Sequence, residues 1–506
     1  MLSSSKHAGR KSSVSSGTTQ QVSAPRLAAA ATLLLGCATS LALSWPGELS
    51  WDSVMQLHDG RSGHYNPWHP PVMAWMLGAF DALVPGTGLF VVFNTVLFFA
   101  SFASLLWLAK RPSWLVVALA MISTALPQVL VYQGIVWKDV LFADASVAGF
   151  VCLAHAAARC RVRRRWIFLI TAFACLALAT LARQNGIVAL LFGLVALVFV
   201  ARRIGQRWPG SLALGVGAAV SVSTLLLVAN VLLEMRTEDA WSAPAQIRLL
   251  QLYDLTGEVK HDPALRLDGL AHANPKLMSL IRSDGVRLYT PVRNDTLIAD
   301  PRLLSAFAAT PPIAVSYQWL NVIIHHPADY LGVRTQVFRW VFLTPDIGQC
   351  MPYITGVTGP PRYLQELRVA RPFRPQDGAL GNYASMFLAT PFYSHATYAL
   401  LAVVLLVYLS RRRRPADIAI AGMLAGALVF TACFFVISIA CDYRYLLFLD
   451  LSALTALFYC TCEITVMAGH AERGAKLARM GTSPAMTMEG GRDKKEGNRA
   501  EGFRGF

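Results

Sequence analysis

Residues 88–108 read GLFVVFNTVLFFASFASLLWL and contain no charged side chain. A helix needs about 20 predominantly apolar residues to cross the hydrocarbon core of a bilayer, so this run predicts a membrane-spanning helix. Similar runs fall at 27–44, 114–132, 140–158, 166–182, 186–201, 211–233, 393–410, 416–440 and 445–468. Together they predict an all-α polytopic membrane protein with about ten transmembrane helices.

The composition agrees with a membrane protein. Of the 506 residues, 55% are hydrophobic and only 15% are charged, whereas a soluble domain carries about 25% charged residues. The nine cysteines form no CxxC pair and have no Cys/His spacing typical of zinc. Only Cys350 and Cys441 fall where an oxidising compartment would reach them, so we expect no disulfide framework.

The first apolar run, 27–44, follows a basic, Ser-rich stretch. A cleaved signal peptide is the alternative interpretation of this pattern. Because Trp45-Pro46-Gly47 follows the run in place of a small-residue cleavage site, we interpret it as an uncleaved first membrane helix.

Lys and Arg collect in alternate loops, and such a bias marks the cytoplasmic side. The basic loops are 1–26, 109–113, 159–165, 202–210, 411–415 and the tail after 468. The short loops on the other side hold only Arg61, Lys138, Arg183 and Arg444. This predicts cytoplasmic termini, and it assigns most of the net charge of +16 to positive-inside bias, so nucleic-acid binding is not expected.

The spans and loops also predict the domain organisation. The segment 234–392 mixes apolar helical stretches, Pro- and Gly-rich loops and interleaved aromatic residues, as is typical of a membrane interface. The predicted parts are a basic cytoplasmic tail (1–26), an N-terminal transmembrane module (27–233, with its first outer loop at 45–86), an extracytoplasmic, mostly helical loop domain (234–392), C-terminal transmembrane helices (393–468) and a disordered cytoplasmic tail (469–506).

Short polar motifs share the predicted outer face. They are WPGELSWDS (45–53) with YNPWHPP (65–71), QGIVWKD (133–139), RQNG (183–186) and CDYRY (441–445). Taken singly, each motif fits solvated helix ends and interfacial aromatic anchors, with Arg183 and Arg444 extending their side chains to the headgroups.

Taken together, the motifs predict a reaction centre. Asp52 in the first outer loop could accept a proton from an attacking hydroxyl, whereas Asp139 taken alone could be an acid at a helix N-terminus. Cationic side chains nearby could hold a phosphate. The predicted substrate-binding residues are Glu48, His69, Lys138, Arg183, Asn185, Asp442, Arg444 and Tyr445. No Gly-rich phosphate loop is present, so a nucleotide ligand is not predicted.

At Trp51-Asp52-Ser53, Trp68-His69-Pro70-Pro71, Trp137-Lys138-Asp139 and Asp442-Tyr443-Arg444-Tyr445, the chain resembles the GT-C superfamily of membrane glycosyltransferases. That superfamily includes protein mannosyltransferases and aminoarabinose transferases, and it uses polyprenyl-phosphate sugars. The resemblance covers roughly 27–468 and is strongest in the first half. It implies that Asp52 is the base and that Arg444 binds the carrier phosphate. It also implies that Asp139 is a second outer-loop acid, which would orient the acceptor or ligate a metal.

The sequence departs from this pattern at one point. Many members carry two adjacent acids in the first loop, whereas here Asp52 has only Glu48, four residues earlier. A divalent ion usually needs several oxygen ligands, so a requirement for a divalent cation is left open.

We therefore expect a glycosyltransferase of the bacterial plasma membrane with an extracytoplasmic active site. It would move a sugar from a polyprenyl-phosphate donor to a glycolipid, polysaccharide or protein. The alternatives are a transporter or flippase for lipid-linked envelope precursors, or a non-catalytic envelope assembly protein. Transporters usually place ionisable groups in mid-membrane, and the predicted spans hold few acids, among them Asp144, Asp450 and Glu463.

Overall fold

The computed structural model describes residues 23–66, 69–109, 112–158, 162–234 and 243–462. Trp68 and Glu463 lie outside the described residues. So do the two predicted tails, except for residues 23–26. In the described part the secondary structure is helical, and strand-like pairing is limited to isolated bridges. The prediction of an all-α chain is confirmed for these residues.

The first half of the chain forms helices α1 to α10. They are Ala24–Ser44, Trp51–Ser62, Pro71–Leu83, Gly88–Ser104, Trp114–Ala125, Pro127–Leu130, Lys138–Ala157, Val162–Ala182, Ile187–Arg203 and Trp208–Glu234. Helices α11 to α20 follow: Ala243–His261, Asp268–Ala273, Pro275–Leu280, Val286–Leu288, Asp295–Ile298, Pro301–Ala308, Pro312–His325, Pro327–Leu343, Pro361–Glu366 and Pro375–Ser385. Helices α21 and α22 are His395–Arg412 and Pro415–Ile437, and α23 is Tyr443–Cys462.

Among the described residues, 8 helices are long and apolar enough to cross a membrane: α1, α4, α7, α8, α9, α10, α22 and α23. Helices α5 and α6 meet at 66° and make a ninth if the bent pair is one span. Pro127 explains the bend, because it begins α6 and holds Leu126 extended. The remaining predicted span, 393–410, corresponds to α21, which is not among these helices. Helix α21 has 18 residues and ends in two arginines. The count is therefore eight or nine in the described part, compared with a prediction of ten that carried an error of one or two spans.

Helices α7 and α23 form the centre of the bundle, with 89% of each span buried. Small residues allow α7 to approach its neighbours closely. At Gly149, for example, a Cβ atom would lie 2.7 Å from the side chain of Leu176 on α8. Helix α10 is at the periphery, with 11% of its span buried.

The two acids predicted inside spans α7 and α23 have hydrogen-bond partners. Asp144 accepts from Nδ2 of Asn94 at 2.8 Å and from Nε2 of Gln133 at 3.0 Å. Asp450 lies 2.9 Å from Nδ1 of His395 and accepts from the Tyr443 hydroxyl at 2.9 Å. Both acids are fully buried, so these contacts offset the cost of removing them from water.

The long segment 234–392 divides between two hydrophobic cores. Apolar residues from Leu249 to Val337 form a separate core built on α11 to α18. Apolar residues from Val341 to Tyr393 join the core of the helix bundle instead. The predicted loop domain therefore has one part with its own core and one part built onto the bundle.

Backbone pairing joins three loops at one end of the bundle. Glu48 pairs with Ile135, and Leu49 pairs with Val357. A disulfide joins Cys350 to Cys441, with Cα atoms 5.0 Å apart. This covalent link was not predicted, and it ties the part built onto the bundle to the residue that precedes Asp442.

Candidate active site

Asp52 lies in the first turn of α2, and its position is fixed by two serines. Ser50 and Ser53 form a capping box at the start of the helix. The Ser53 hydroxyl donates to the carbonyl of Val136 at 2.6 Å, and the Ser50 hydroxyl accepts from Nε1 of Trp137 at 2.9 Å. Because both serines bind residues that directly precede α7, they hold Asp52 beside the Lys138-Asp139 motif.

Arg444 is the centre of the site, since its guanidinium contacts three carboxylates. Nη2 lies 2.6 Å from Oδ2 of Asp52 and 3.0 Å from Oδ2 of Asp442. Nε lies 3.5 Å from Oδ2 of Asp139. The guanidinium carbon lies 4.7 Å from the ring centroid of Trp137, and only 8% of the Arg444 side chain is exposed. One buried cation thus joins groups up to 392 residues apart in the sequence.

Arg183 supports the same site from the end of α8. Its Nη1 donates to Oδ1 of Asp139. Its guanidinium also faces three aromatic rings at 5.3 to 5.7 Å, those of Phe430, Phe434 and Tyr445. Aromatic faces attract cations, so these rings position Arg183 without competing for its hydrogen bonds.

His69 and Lys138 form a second contact with Asp52. Nζ of Lys138 lies 2.8 Å from Nδ1 of His69, and Nε2 of His69 lies 3.8 Å from Oδ1 of Asp52. An ammonium can only donate, so Nδ1 accepts and the imidazole carries its proton on Nε2. That proton faces the Asp52 carboxylate at a distance too long for a hydrogen bond.

The charges around these groups set their protonation. Burial opposes ionisation of Asp52, but the cationic side chains of Arg444 and Lys138 outweigh it and lower the pKa of its carboxyl below the usual range. Burial and the adjacent Lys138 lower the pKa of His69 to about 3, so its imidazole is neutral. Burial raises the pKa of Asp442. The site therefore presents an ionised Asp52 beside a neutral histidine.

The site is partly open and partly unpaired. Asp52 is the accessible acid, with 32% of its side chain exposed, whereas Asp139 is 1% exposed. Three buried atoms have no hydrogen-bond partner among the described residues: Oδ2 of Asp139, Nε of Arg444 and Nδ2 of Asn185. Two of these atoms, Oδ2 of Asp139 and Nε of Arg444, face each other in the 3.5 Å ion pair, so of the three the Asn185 amide is the one left to bind another molecule.

Glu48 lies in a different cluster from Asp52. Its carboxylate accepts from the backbone N–H of Gly356 and lies 3.0 Å from Arg371 and 3.3 Å from Arg374. Its side chain is fully buried, and burial raises its pKa to about 7. This geometry favours a structural role for Glu48, and its predicted contact with the substrate stays a prediction.

A metal site is not formed by the described side chains, among which no group of three or more His, Cys, Asp or Glu residues could hold an ion. The three acids of the site converge on Arg444, whose guanidinium occupies the position between them. Asp139, predicted to orient the acceptor or ligate a metal, is bound by two arginines.

Some residues of the site were not predicted. Trp137 stacks on Arg444, and Ser50 and Ser53 fix Asp52. The signal for the serines was present, because Ser50 precedes a helix that begins at Trp51 and serine is a preferred N-cap residue. The arginines that bind Glu48 follow it by more than 300 residues and belong to no recognisable motif.

Comparison of the chain with known protein families, curated proteins and solved structures finds no match.

Proposed function

We propose that this protein is a membrane glycosyltransferase that moves a sugar from a polyprenyl-phosphate carrier to a hydroxyl acceptor. One observation carries the proposal: four polar motifs, distant in sequence, meet around Arg444 at one end of the helix bundle. A partly exposed carboxylate, Asp52, lies beside that buried guanidinium. An acid next to a fixed cation provides the two groups that such a transfer needs.

In the proposed reaction, the Asp52 carboxylate accepts the proton of the acceptor hydroxyl. The hydroxyl oxygen forms a new bond to the anomeric carbon of the sugar. The bond from that carbon to the phosphate oxygen breaks, and its electron pair leaves with the polyprenyl phosphate. Arg444 and Lys138 stabilise the negative charge that develops on the phosphate.

The ion pair between Asp52 and Arg444 connects substrate binding to base strength. While Arg444 holds Asp52, the low pKa makes the carboxylate a weak base. A donor phosphate that binds Arg444 competes for the same guanidinium and weakens its contact with Asp52. The pKa of Asp52 then rises towards its ordinary value, so the base becomes stronger when the donor is in place.

The position of the charged cluster favours transfer over transport. Its members lie at the ends of α2, α7, α8 and α23, where an acceptor can reach Asp52 from outside the bundle. The two acids further inside spans α7 and α23, Asp144 and Asp450, have hydrogen-bond partners in the described structure. Exchange transport would need ionisable groups that bind and release cargo along a path through the bundle.

The test compares the envelope glycolipids, polysaccharides and glycoproteins of four strains of the native host by mass spectrometry. The strains are wild type, a deletion, and the deletion complemented with Asp52→Asn or with Asp295→Asn. Asp295 is a matched control because it lies in the loop domain with 65% of its side chain exposed. We expect the deletion to remove one sugar unit, Asp295→Asn to restore it and Asp52→Asn to leave it absent.

Two outcomes would contradict this proposal. If Asp52→Asn restores the sugar as well as Asp295→Asn does, Asp52 is not the base. If all four strains have the same covalent glycans, the transfer reaction is wrong. Transport is then tested by counterflow of lipid-linked precursors in proteoliposomes, and wild-type behaviour of every point variant would favour a non-catalytic assembly role.

A further inference from the structure

A cavity of about 530 Å³ lies far from the candidate active site. It opens between the C-terminal end of α9 and the turn that joins α21 to α22. Helix α9 begins next to the Arg183 motif and has 17 residues, so its far end is about 25 Å away along the helix axis. The cavity is therefore at the opposite end of the bundle.

Three arginines line this cavity: Arg202, Arg203 and Arg413. Each has a hydrogen bond to a backbone carbonyl. Nη1 of Arg202 donates to Gln206 at 2.6 Å, Nε of Arg203 donates to Arg413 at 3.0 Å, and Nε of Arg413 donates to Ser410 at 3.1 Å. A guanidinium has five N–H donors, so each of the three keeps several for another partner.

The three cavity arginines differ from the neighbouring Arg412 in whether a carboxylate neutralises their charge. Arg412 is neutralised by Asp417, with Nε 2.8 Å from Oδ2. In the part of the chain that the structure describes, none of the three cavity arginines forms a salt bridge with a carboxylate. The cavity therefore concentrates positive charge that no described acid neutralises.

The rest of the cavity wall is mostly apolar. It includes Phe199, Leu409 and Ile418, and 49% of the Phe199 surface is exposed. These side chains lie on helices α9, α21 and α22, close in sequence to the arginines that line the cavity. A ligand that fits both parts has an anionic group at one end and hydrocarbon at the other.

We propose that this cavity binds an anionic phospholipid, with its phosphate on Arg202, Arg203 and Arg413 and an acyl chain along Phe199. Arginine forks bind phosphate oxygens in pairs, and basic pockets between membrane helices suit anionic headgroups. A cavity of this volume is also within the range of ligand sites. The lipid site is separate from the transfer reaction and does not depend on it.

The experiment uses native mass spectrometry of the full chain purified in neutral detergent and titrated with phosphatidylglycerol or phosphatidylcholine. The cavity variant is Arg203→Gln/Arg413→Gln. The matched control is Arg163→Gln/Arg164→Gln, which removes the same charge from exposed positions at the start of α8, outside the cavity. We expect phosphatidylglycerol to bind wild type and control alike and to bind the cavity variant about tenfold more weakly.

Three results would overturn the lipid site. They are equal phosphatidylglycerol binding by all three proteins, equal binding of the two lipids by wild type, and displacement of phosphatidylglycerol by inorganic phosphate, which would indicate a free-phosphate site. The single variant Arg413→Gln is measured alongside, in case the double variant does not fold. A melting temperature equal to that of wild type shows that it is folded, and phosphatidylglycerol affinity equal to that of wild type would then contradict the proposal.

Discussion

Two aspartate–arginine pairs in this protein have similar distances and opposite surroundings. In the loop domain, Oδ1 of Asp254 lies 2.9 Å from Nη1 of Arg334, and both side chains are at most 1% exposed. In the candidate active site, Oδ2 of Asp52 lies 2.6 Å from Nη2 of Arg444, and 32% of Asp52 is exposed. The same two residue types therefore form one closed pair and one open pair.

The partners of the two pairs explain the difference. The second oxygen of Asp254 accepts from Nε1 of Trp319 at 2.9 Å and from the Tyr330 hydroxyl at 3.2 Å. Nε of Arg334 donates to the carbonyl of Phe435 at 2.8 Å, which joins the loop domain to the end of α22. Arg444 is shared among three acids instead. An ion pair alone does not indicate a reactive group, and the proposed active site rests instead on a shared cation beside an accessible acid.

The largest expected effect is on the closed pair. Arg334→Met leaves Asp254 buried without its cation, and breaking a buried pair in this way costs about 3–5 kcal/mol. We expect a much lower melting temperature for the purified protein in detergent. Asp52→Asn should change the melting temperature little, because Arg444 keeps Asp442 and Asp139 as partners.

The control for this prediction is the double variant Asp254→Leu/Arg334→Met. Replacing both members of a buried pair by apolar residues removes the unpaired charge and should recover part of the lost stability. If Arg334→Met melts at the wild-type temperature, the closed pair is not structural and the contrast between the two pairs does not hold.

The meeting of the four motifs could be anticipated from the sequence because alternate loops lie on one side of a membrane bundle. Loop alternation and motif order predicted that Asp52, Asp139, Arg183 and Arg444 share a face, and the structure brings them together. The catalytic role of each stays a prediction.

Other features could not be predicted because they depend on contacts across the fold. Hydropathy treats 114–132 as a single run, whereas Pro127 bends it by 66°. The predicted topology placed Cys350 and Cys441 where an oxidising compartment would reach them, but their approach to each other depends on where a loop of the second half returns. The partners of Glu48 are likewise set by a segment that follows it by more than 300 residues.

A smaller stability effect and a large activity effect are expected for Arg444→Lys. A lysine keeps the positive charge but lacks the planar fork that reaches Asp52, Asp442 and Asp139 together. Loss of oriented donors to the phosphate should reduce sugar transfer about 100-fold or more. The measurement is incorporation of the sugar into the envelope at matched protein levels.

Comparing Lys138→Arg with Arg444→Lys separates the role of side-chain geometry from that of charge at this site. In Lys138→Arg the charge is retained beside His69, so transfer should fall less than in Arg444→Lys. If Arg444→Lys transfers sugar as well as the wild type does, the proposal that Arg444 recognises the phosphate is wrong. The contrast between the open pair and the closed pair would then not indicate a functional site.

The smallest effect concerns the dependence of stability on pH at Glu48, which is buried like Asp254 but lies next to the site. Burial raises its folded-state pKa to about 7, above its ordinary value of 4.5. Between these two values the folded protein binds a proton that the unfolded chain has released. The contribution of Glu48 to stability is therefore present in full below about pH 4.5 and falls as the pH rises to about 7.

Glu48→Gln isolates this contribution, because an amide does not titrate and Arg371 and Arg374 keep Asp377 as a partner. We expect the melting temperature of the wild type to fall relative to that of Glu48→Gln as the pH is raised from 4.5 to 7. The opposite slope would mean that the two arginines outweigh burial and lower the pKa of Glu48. Glu48 would then be an ionised structural acid like Asp377, whose pKa is lowered to about 2 because these arginines outweigh its desolvation.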